Sequence, residues 1–333
     1  MRLSARGWFH ATLARGQGAA LLFCTVMAAL SQNPGWSDLL FPELGALSST
    51  VLRDPDGPWA QRRWQLLLLP TLCASVGLLI SRSSSDPLVA VLLAVALAKL
   101  VLLVARSTLV PALSAAALPV ILHIHSWTYP LQIGLGLLAL CLLLRWWTRD
   151  GGGALSQPVP EAVRAVEAPA RQGWGLLRWA ALLVLLLAME RLLGLRYVLV
   201  PPLIVLAHEG LLEPLHCPWA DRTWVLPLAC GGTTLAGVLS AQLLPWAGPA
   251  AALSLAITLL LLHRLRLQLA PVLALALLPL VLPAPDLRMV PAVLLGASLL
   301  AVAVSWSRQA TAGSPSRRPP RPAAPRDRSR GRH

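Results

Sequence analysis

The chain has too few charged residues to cover a water-soluble protein of its size. Asp, Glu, Lys and Arg together make up 13% of the 333 residues, whereas 56% are hydrophobic. A soluble domain carries about 25% charged residues, because its surface must be solvated. Lipid is the solvent that tolerates the composition found here. We therefore predict an all-α, polytopic integral membrane protein.

Lysine, cysteine and two of the three aromatic residue types are also scarce. Lys99 is the only lysine, and there are 2 Tyr and 3 Phe. Most of the 5 cysteines lie within apolar runs, which is typical of small buried hydrophobic residues rather than of a disulfide framework. The 13 tryptophans stand mostly at the ends of apolar runs, where an amphipathic ring would meet lipid headgroups.

Sequence motifs of enzymes are absent. The chain contains no phosphate-binding glycine loop, no HExxH, no GxSxG and no carboxylate cluster with an acid–base partner. His123 and His125 are joined by no further ligand at metal-binding spacing. We predict no enzymatic activity, no metal, no cofactor and no nucleic-acid partner.

An internal repeat divides the chain into two similar units. The tripeptide PWA at 58–60 recurs 160 residues later at 218–220, and LFP at 40–42 is matched by LVP at 199–201. The same offset of 160 relates Pro111 to Pro271, Pro119 to Pro279, Gly136 to Gly296 and Trp146 to Trp306. Fixed Pro, Gly and Trp positions at one offset indicate a tandem duplication.

Each unit contains six apolar segments. The second and fifth are shorter than the roughly 20 residues that a spanning helix needs, and they contain prolines. They are therefore predicted to be half-helices or re-entrant hairpins, which leaves between 8 and 12 spans. The segments are 16–30, 39–52, 64–80, 87–105, 109–122 and 129–147 in the first unit, and 174–189, 197–212, 224–244, 249–262, 267–282 and 290–306 in the second.

The predicted organisation is a first transmembrane repeat at 1–148, a cytoplasmic linker at 149–173, a second repeat at 174–308 and a disordered tail at 309–333. An even number of spans in either case makes the repeats parallel. Most Lys and Arg of the short loops then fall on one side, which predicts cytoplasmic termini in a bacterial plasma membrane. The Arg- and Pro-rich tail is predicted to bind anionic lipid headgroups.

Two stretches resemble the HPP family of integral membrane proteins. FPELGALSSTVLRDPDGPWAQRR, residues 41–63, is similar to a first family stretch. LVPALSAAALPVI at 109–121 and LAPVLALALLPLV at 269–281 are similar to a second, although the family's His-Pro-Pro triplet is Leu-Val-Pro and Leu-Ala-Pro here. Family members include proteins linked to nitrite transport, so the resemblance implies a small-solute transporter.

Polar residues within the apolar segments mark the predicted substrate pathway. Ionisable groups in lipid cost about 2.5–3.5 kcal/mol each on insertion scales, so each needs a reason. Lys99 either attracts anions into a central cavity or extends its long stem to the headgroups. The polar residues of the second segments either form a site at broken helices or satisfy neighbouring groups. The predicted pathway residues are Glu43, Ser48, Ser49, Thr50, Lys99, His208 and Glu209, and the predicted helix-breaking residues are Pro42, Pro111, Pro119, Pro201, Pro271 and Pro279.

The predicted function is transport of a small polar solute, for example an inorganic anion such as nitrite. One alternative is a membrane scaffold that transports nothing and docks partners through its Arg-rich tail. Another is an intramembrane enzyme, which would need a cavity with converging titratable groups. A cavity with polar lining at mid-depth would favour transport over the scaffold.

Overall fold

The computed structural model describes residues 5–84, 86–149, 169–212, 217 and 219–312. Within these residues the protein consists of helices and connecting segments, with no β-strand. The helices are α1 Ala5–Ser31, α2 Glu43–Arg53, α3 Pro58–Gln61, α4 Arg63–Ser83, α5 Pro87–Val104, α6 Pro111–Ile121, α7 Thr128–Arg149, α8 Pro169–Leu193, α9 Pro201–Leu212, α10 Val225–Leu243, α11 Ala247–Leu265, α12 Ala270–Val281 and α13 Met289–Ala312.

Six of these helices are long and apolar enough to cross a membrane: α4, α5, α7, α10, α11 and α13. Large apolar side chains such as Leu68, Leu72 and Leu79 of α4 point outward and remain about half exposed. Water would disfavour such a surface, whereas hydrocarbon solvates it. The predicted fold class, an all-α membrane bundle, is confirmed.

Four short helices lie inside the ring of long ones. Helices α2 and α6 have 11 residues, and α9 and α12 have 12. At a rise of about 1.5 Å per residue they are roughly 17 Å long, or half of the hydrocarbon thickness. Each begins at or next to a proline, namely Pro42, Pro111, Pro201 and Pro271. Proline suits this position because the first N–H groups of a helix have no intrahelical partner.

The first pair of short helices begins at mid-depth. We call the two ends of the bundle the Arg63 end and the Ser83 end, after the first and last residues of α4. A Cβ added to Gly136, near the middle of α7, would lie 3.3 Å from the carbonyl oxygen of Leu39, just before α2. Gly296 of α13 is packed in the same way against Val198, just before α9. From these starts α2 and α9 run toward the Arg63 end.

The other pair runs in the opposite direction. The Ser81 hydroxyl, near the end of α4, donates to the carbonyl of Pro119 at 3.1 Å, so α6 ends at the Ser83 end. The Ser114 hydroxyl, in the first turn of α6, donates to the carbonyl of Pro201 at 2.8 Å, so α6 and α9 begin beside each other. Helix α12 takes the corresponding place beside α2, where Gly45 packs against the Leu273 carbonyl. Each short helix and the segment before it therefore cross the bundle once.

The two halves of the chain run in the same direction. Arg191, at the end of α8, forms an ion pair of 3.2 Å with Asp86, which lies between α4 and α5 at the Ser83 end. Hydrogen bonding to the backbone N–H of Leu88, together with Arg191, lowers the pKa of the Asp86 carboxyl. Gln32, at the end of α1, donates to the carbonyl of Pro245 between α10 and α11. The ends of α1, α4, α8 and α10 are therefore at one end of the bundle.

Close glycine contacts recur at an offset of 159 or 160 residues. Gly77 of α4 lies against the carbonyl of Ala116 in α6, and Gly237 of α10 lies against that of Ala276 in α12. Gly16 of α1 meets the end of α2, and Gly175 of α8 meets the end of α9. The paired residues are 159 or 160 positions apart.

Two prolines that we predicted to break helices do not do so. Pro119 and Pro279 lie inside α6 and α12, which end two residues later. Proline removes the hydrogen bond to the carbonyl four residues earlier. For Pro119 that carbonyl belongs to Ala115, and the buried Tyr129 hydroxyl donates to it at 3.0 Å. A tertiary donor replaces the lost bond, so the helix continues.

Two helices extend beyond the predicted apolar segments, and the predicted domain boundaries remain predictions. Helix α8 begins at Pro169, and α13 runs to Ala312, four residues into the predicted tail. Residues 150–168 and 313–333 are outside the described part of the chain. Most of the predicted linker, most of the tail and the tail's lipid binding therefore remain predictions.

Substitution of Gly77 or Gly237 by alanine should destabilise the bundle. A Cβ on Gly237 would come within 2.6 Å of the Ala276 carbonyl, and one on Gly77 would meet that of Ala116. Overpacking of this kind costs about 1–3 kcal/mol. Both variants should show lower melting temperatures in detergent. Gly18→Ala is the matched control, since nothing lies within 4 Å of its added Cβ. Unchanged melting of Gly77→Ala and Gly237→Ala would contradict this packing.

Candidate solute-binding site

The carboxyl group of Glu43 is buried at the start of a short helix, and no described residue donates a hydrogen bond to it. Glu43 is the first residue of α2 and is 1% exposed. Within the described residues, neither of its carboxyl oxygens has a hydrogen-bond partner. Ser114 of α6 and Tyr129 of α7 are its polar neighbours, but their hydroxyls donate to backbone carbonyls. A buried polar group without a partner is costly, and this carboxyl therefore calls for a functional explanation.

The three hydroxyl residues further along α2 have different environments. Ser48 is fully buried, and its Oγ lies 3.4 Å from Sγ of Cys24 in α1. Thr50 donates to the carbonyl of Ala46 at 2.8 Å, within its own helix. Ser49 lines a cleft between α1, α2, α11 and α12. Of the three, Ser49 is therefore the one that a solute could reach.

The structure brings Lys99 and His208 together from different halves of the chain. Nζ of Lys99, in α5, lies 2.6 Å from Nε2 of His208, in α9, although 109 residues separate them. His208 is 3% exposed, and Trp179 packs edge-on against its ring at a centroid distance of 5.4 Å. Glu209, the next residue, is half-buried. Lys99 thus contacts a buried imidazole instead of extending alone to the headgroups.

This contact determines which imidazole nitrogen carries the proton. An ammonium group only donates, so Nε2 of His208 accepts from Lys99 and the neutral ring carries its hydrogen on Nδ1. Nδ1 is buried and has no partner among the described residues. The pair thus holds one buried imidazole N–H that has no acceptor among the described residues. The pair therefore favours a solute that accepts hydrogen bonds, and an anion above all.

A narrow cleft, with room for about one water molecule, lies between α1 and α2 of the first half of the chain and α11 and α12 of the second. It is mainly apolar, and Gln17, Cys24 and Ser49 supply its polar groups; the remaining lining residues are Ala20, Leu21, Gly45, Leu255, Leu259 and Leu273. Three of these correspond, at the offset of 159 or 160, to the residues of the buried pair: Ala20 to Trp179, Ser49 to His208 and Leu259 to Lys99. The smaller side chains of Ala20, Ser49 and Leu259 thus leave a cleft at the place that corresponds to the one filled by Trp179, His208 and Lys99.

Sequence reasoning missed three residues of this region. Ser114 is the only hydroxyl in α6, Tyr129 stands among residues typical of an interface, and Trp179 looks like an ordinary interfacial anchor. Ser114 alone had a local signal, as a polar residue within an apolar segment. The contacts of Tyr129 and Trp179 depend on the packing of distant helices.

Comparisons with family models, with curated proteins and with solved structures find no match to this chain. The resemblance to the HPP family therefore remains an expectation based on its motifs.

A double-mutant cycle should detect coupling between Lys99 and His208. Lys99→Met and His208→Leu should each lower the free energy of unfolding, because each leaves a buried polar partner behind. We expect an interaction energy of about 0.5–3 kcal/mol from unfolding in detergent. Lys99→Met combined with Ser254→Ala serves as the control, since Ser254 of α11 bonds to Ala276. That control pair should be additive to within about 0.5 kcal/mol. If the effects of Lys99→Met and His208→Leu on unfolding were as additive as those of the control pair, the contact between the two side chains would be ruled out.

Proposed function

We propose that this integral membrane protein transports a small anionic solute, for which nitrite is the first candidate. The observation that carries the proposal is the Lys99–His208 pair, which joins the two halves and presents a buried N–H without an acceptor. Most buried polar groups in proteins have a hydrogen-bond partner. An anion that accepts from this N–H would satisfy it, and the nearby ammonium charge of Lys99 would favour a negative solute.

The short helices support a route through the interior. Four of them begin at mid-depth, and the start of a helix carries a partial positive charge. Broken helices that meet at the interface of two repeats are the arrangement in which many transporters bind their solute. The glycine contacts that recur at an offset of 159 or 160 support the proposed duplication.

The size of the available space supports a small solute. The cleft beside Ser49 has room for about one water molecule and is lined mainly by apolar side chains. The corresponding place around His208 is filled by Trp179. An inorganic anion of a few atoms fits these dimensions better than an organic metabolite does. The same class is implied by the resemblance to the HPP family.

Orientation is the second part of the proposal. The Arg63 end carries Arg62 and Arg63 and the ends of α2, α7 and α13, which are rich in arginine. The Ser83 end has fewer, among them Arg82 and Arg191. By the positive-inside rule, the Arg63 end faces the cytoplasm.

Uptake by reconstituted vesicles tests the transport proposal. The double variant Lys99→Ala, His208→Ala should take up nitrite roughly 10- to 100-fold more slowly than the wild type, since hydrogen bonds to charged groups contribute about 1.5–3 kcal/mol. Rates are measured against protein-free vesicles. Arg191→Ala removes an exposed positive charge at the Ser83 end and should transport at the wild-type rate. Equal uptake by the double variant and the wild type would remove the pair from the mechanism.

A further inference from the structure

Glu43 is the buried acid of the bundle centre, and the proposed anion site does not use it. Its two oxygens have no partner among the described residues, and it lies where α2 begins, at mid-depth. The first turn of α2 is itself closed by short backbone bonds, from Leu44 N–H to the Phe41 carbonyl and from Gly45 N–H to that of Pro42. The carboxyl is therefore not needed to cap this helix.

The surroundings of Glu43 contain few other titratable groups. Helices α6 and α12 pack against α2 and carry no titratable side chain. Helix α7 contributes Tyr129. This side chain also interacts electrostatically with Asp38, which lies in the segment before α2. Helix α1 contributes Cys24, whose neighbour on α2 is Ser48. No Lys or Arg is bonded to the carboxyl within the described residues. Proton binding is thus the way in which this site can lose its negative charge.

An anion that passes the buried start of α2 meets the charge of an ionised Glu43. Two negative charges in an apolar interior repel strongly, because little solvent screens them. A protonated carboxyl removes the repulsion and gains an O–H that can donate. Anion binding therefore favours proton binding at Glu43, and by linkage the proton favours the anion to the same extent.

We propose that Glu43 takes up one proton from water on one side of the membrane and releases it on the other, so that proton and anion cross together. This inference rests on the proposed function. The stoichiometry follows from the asymmetry of the halves, since the counterpart of Glu43 at an offset of 159 is Pro202. A single carboxyl binds a single proton, which enters and leaves as hydronium or water-borne H⁺ with no redox step.

Glu43→Gln separates coupling from transport, because the amide resembles the protonated acid. In vesicles, wild-type protein should accumulate nitrite about tenfold for each unit of pH gradient, since one pH unit corresponds to about 1.4 kcal/mol per proton. Glu43→Gln should keep nitrite counterflow, which needs no driving force, and lose accumulation. Asp56→Asn, an exposed loop carboxyl, should behave as the wild type. Protein-free vesicles give the background, and accumulation by Glu43→Gln equal to the wild type would overturn the proposal.

Infrared difference spectra between acidic and alkaline pH test Glu43 without any transport. The solubilised wild type and Asp56→Asn should show the C=O stretch of a buried protonated carboxyl at acidic pH, and Glu43→Gln should lack it. An unchanged band in Glu43→Gln overturns the proton site. If the band is lost as expected but the wild type carries no anion, the proposed transport function fails and the proton site stands. If Glu43→Gln also loses counterflow, the infrared result decides whether Glu43 binds the proton.

Discussion

The fold depends on one constraint: the backbone polar groups at the ends of half-length helices must be satisfied away from lipid. A helix that stops at mid-depth exposes N–H groups, and hydrocarbon offers them no partner. The chain meets this constraint in three ways. A proline near each start removes a donor, short backbone bonds such as Leu203 N–H to the Val200 carbonyl close the first turn, and side chains such as Ser114 link one start to another. The long helices surround the short ones because only protein contacts tolerate such ends.

The same constraint bears on Glu43 and Ser114, which lie at starts of short helices, whereas Lys99 and His208 lie toward the ends of α5 and α9. Helix starts that meet at the centre create a polar region inside an apolar bundle, and polar side chains cost less there than against lipid. The two halves use this region differently. At corresponding positions, one cluster has Trp179 and His208 of the second half with Lys99 of the first, and the other has Ala20 and Ser49 of the first half with Leu259 of the second. The proposed duplication thus supplies two similar frameworks, and the chemistry comes from the residues in which they differ.

Much of the architecture could be predicted from the sequence, and the site only in part. Apolar runs and their prolines identified the long and the short helices, since both depend on local pattern. Lys99 and His208 were each singled out as polar residues in apolar surroundings. Their contact could not be predicted, because they lie 109 residues apart on helices whose packing is a tertiary property. Pro119 shows the same limit: the local rule expects a break, and the Tyr129 hydroxyl, supplied by another helix, restores the missing bond.

The charges of the interior connect the anion site with the acid. In the proposed mechanism, the empty site holds the Lys99 ammonium group and an ionised Glu43, whose charges cancel. When an anion enters and Glu43 is protonated, the charge of the anion takes the place of the carboxylate charge. The net charge that the protein must hold in a poorly solvating interior is therefore the same in both states, so a change from one open side to the other would cost similar electrostatic energy loaded and empty. An anion that bound without the proton would add one uncompensated negative charge, and this cost would couple the two movements.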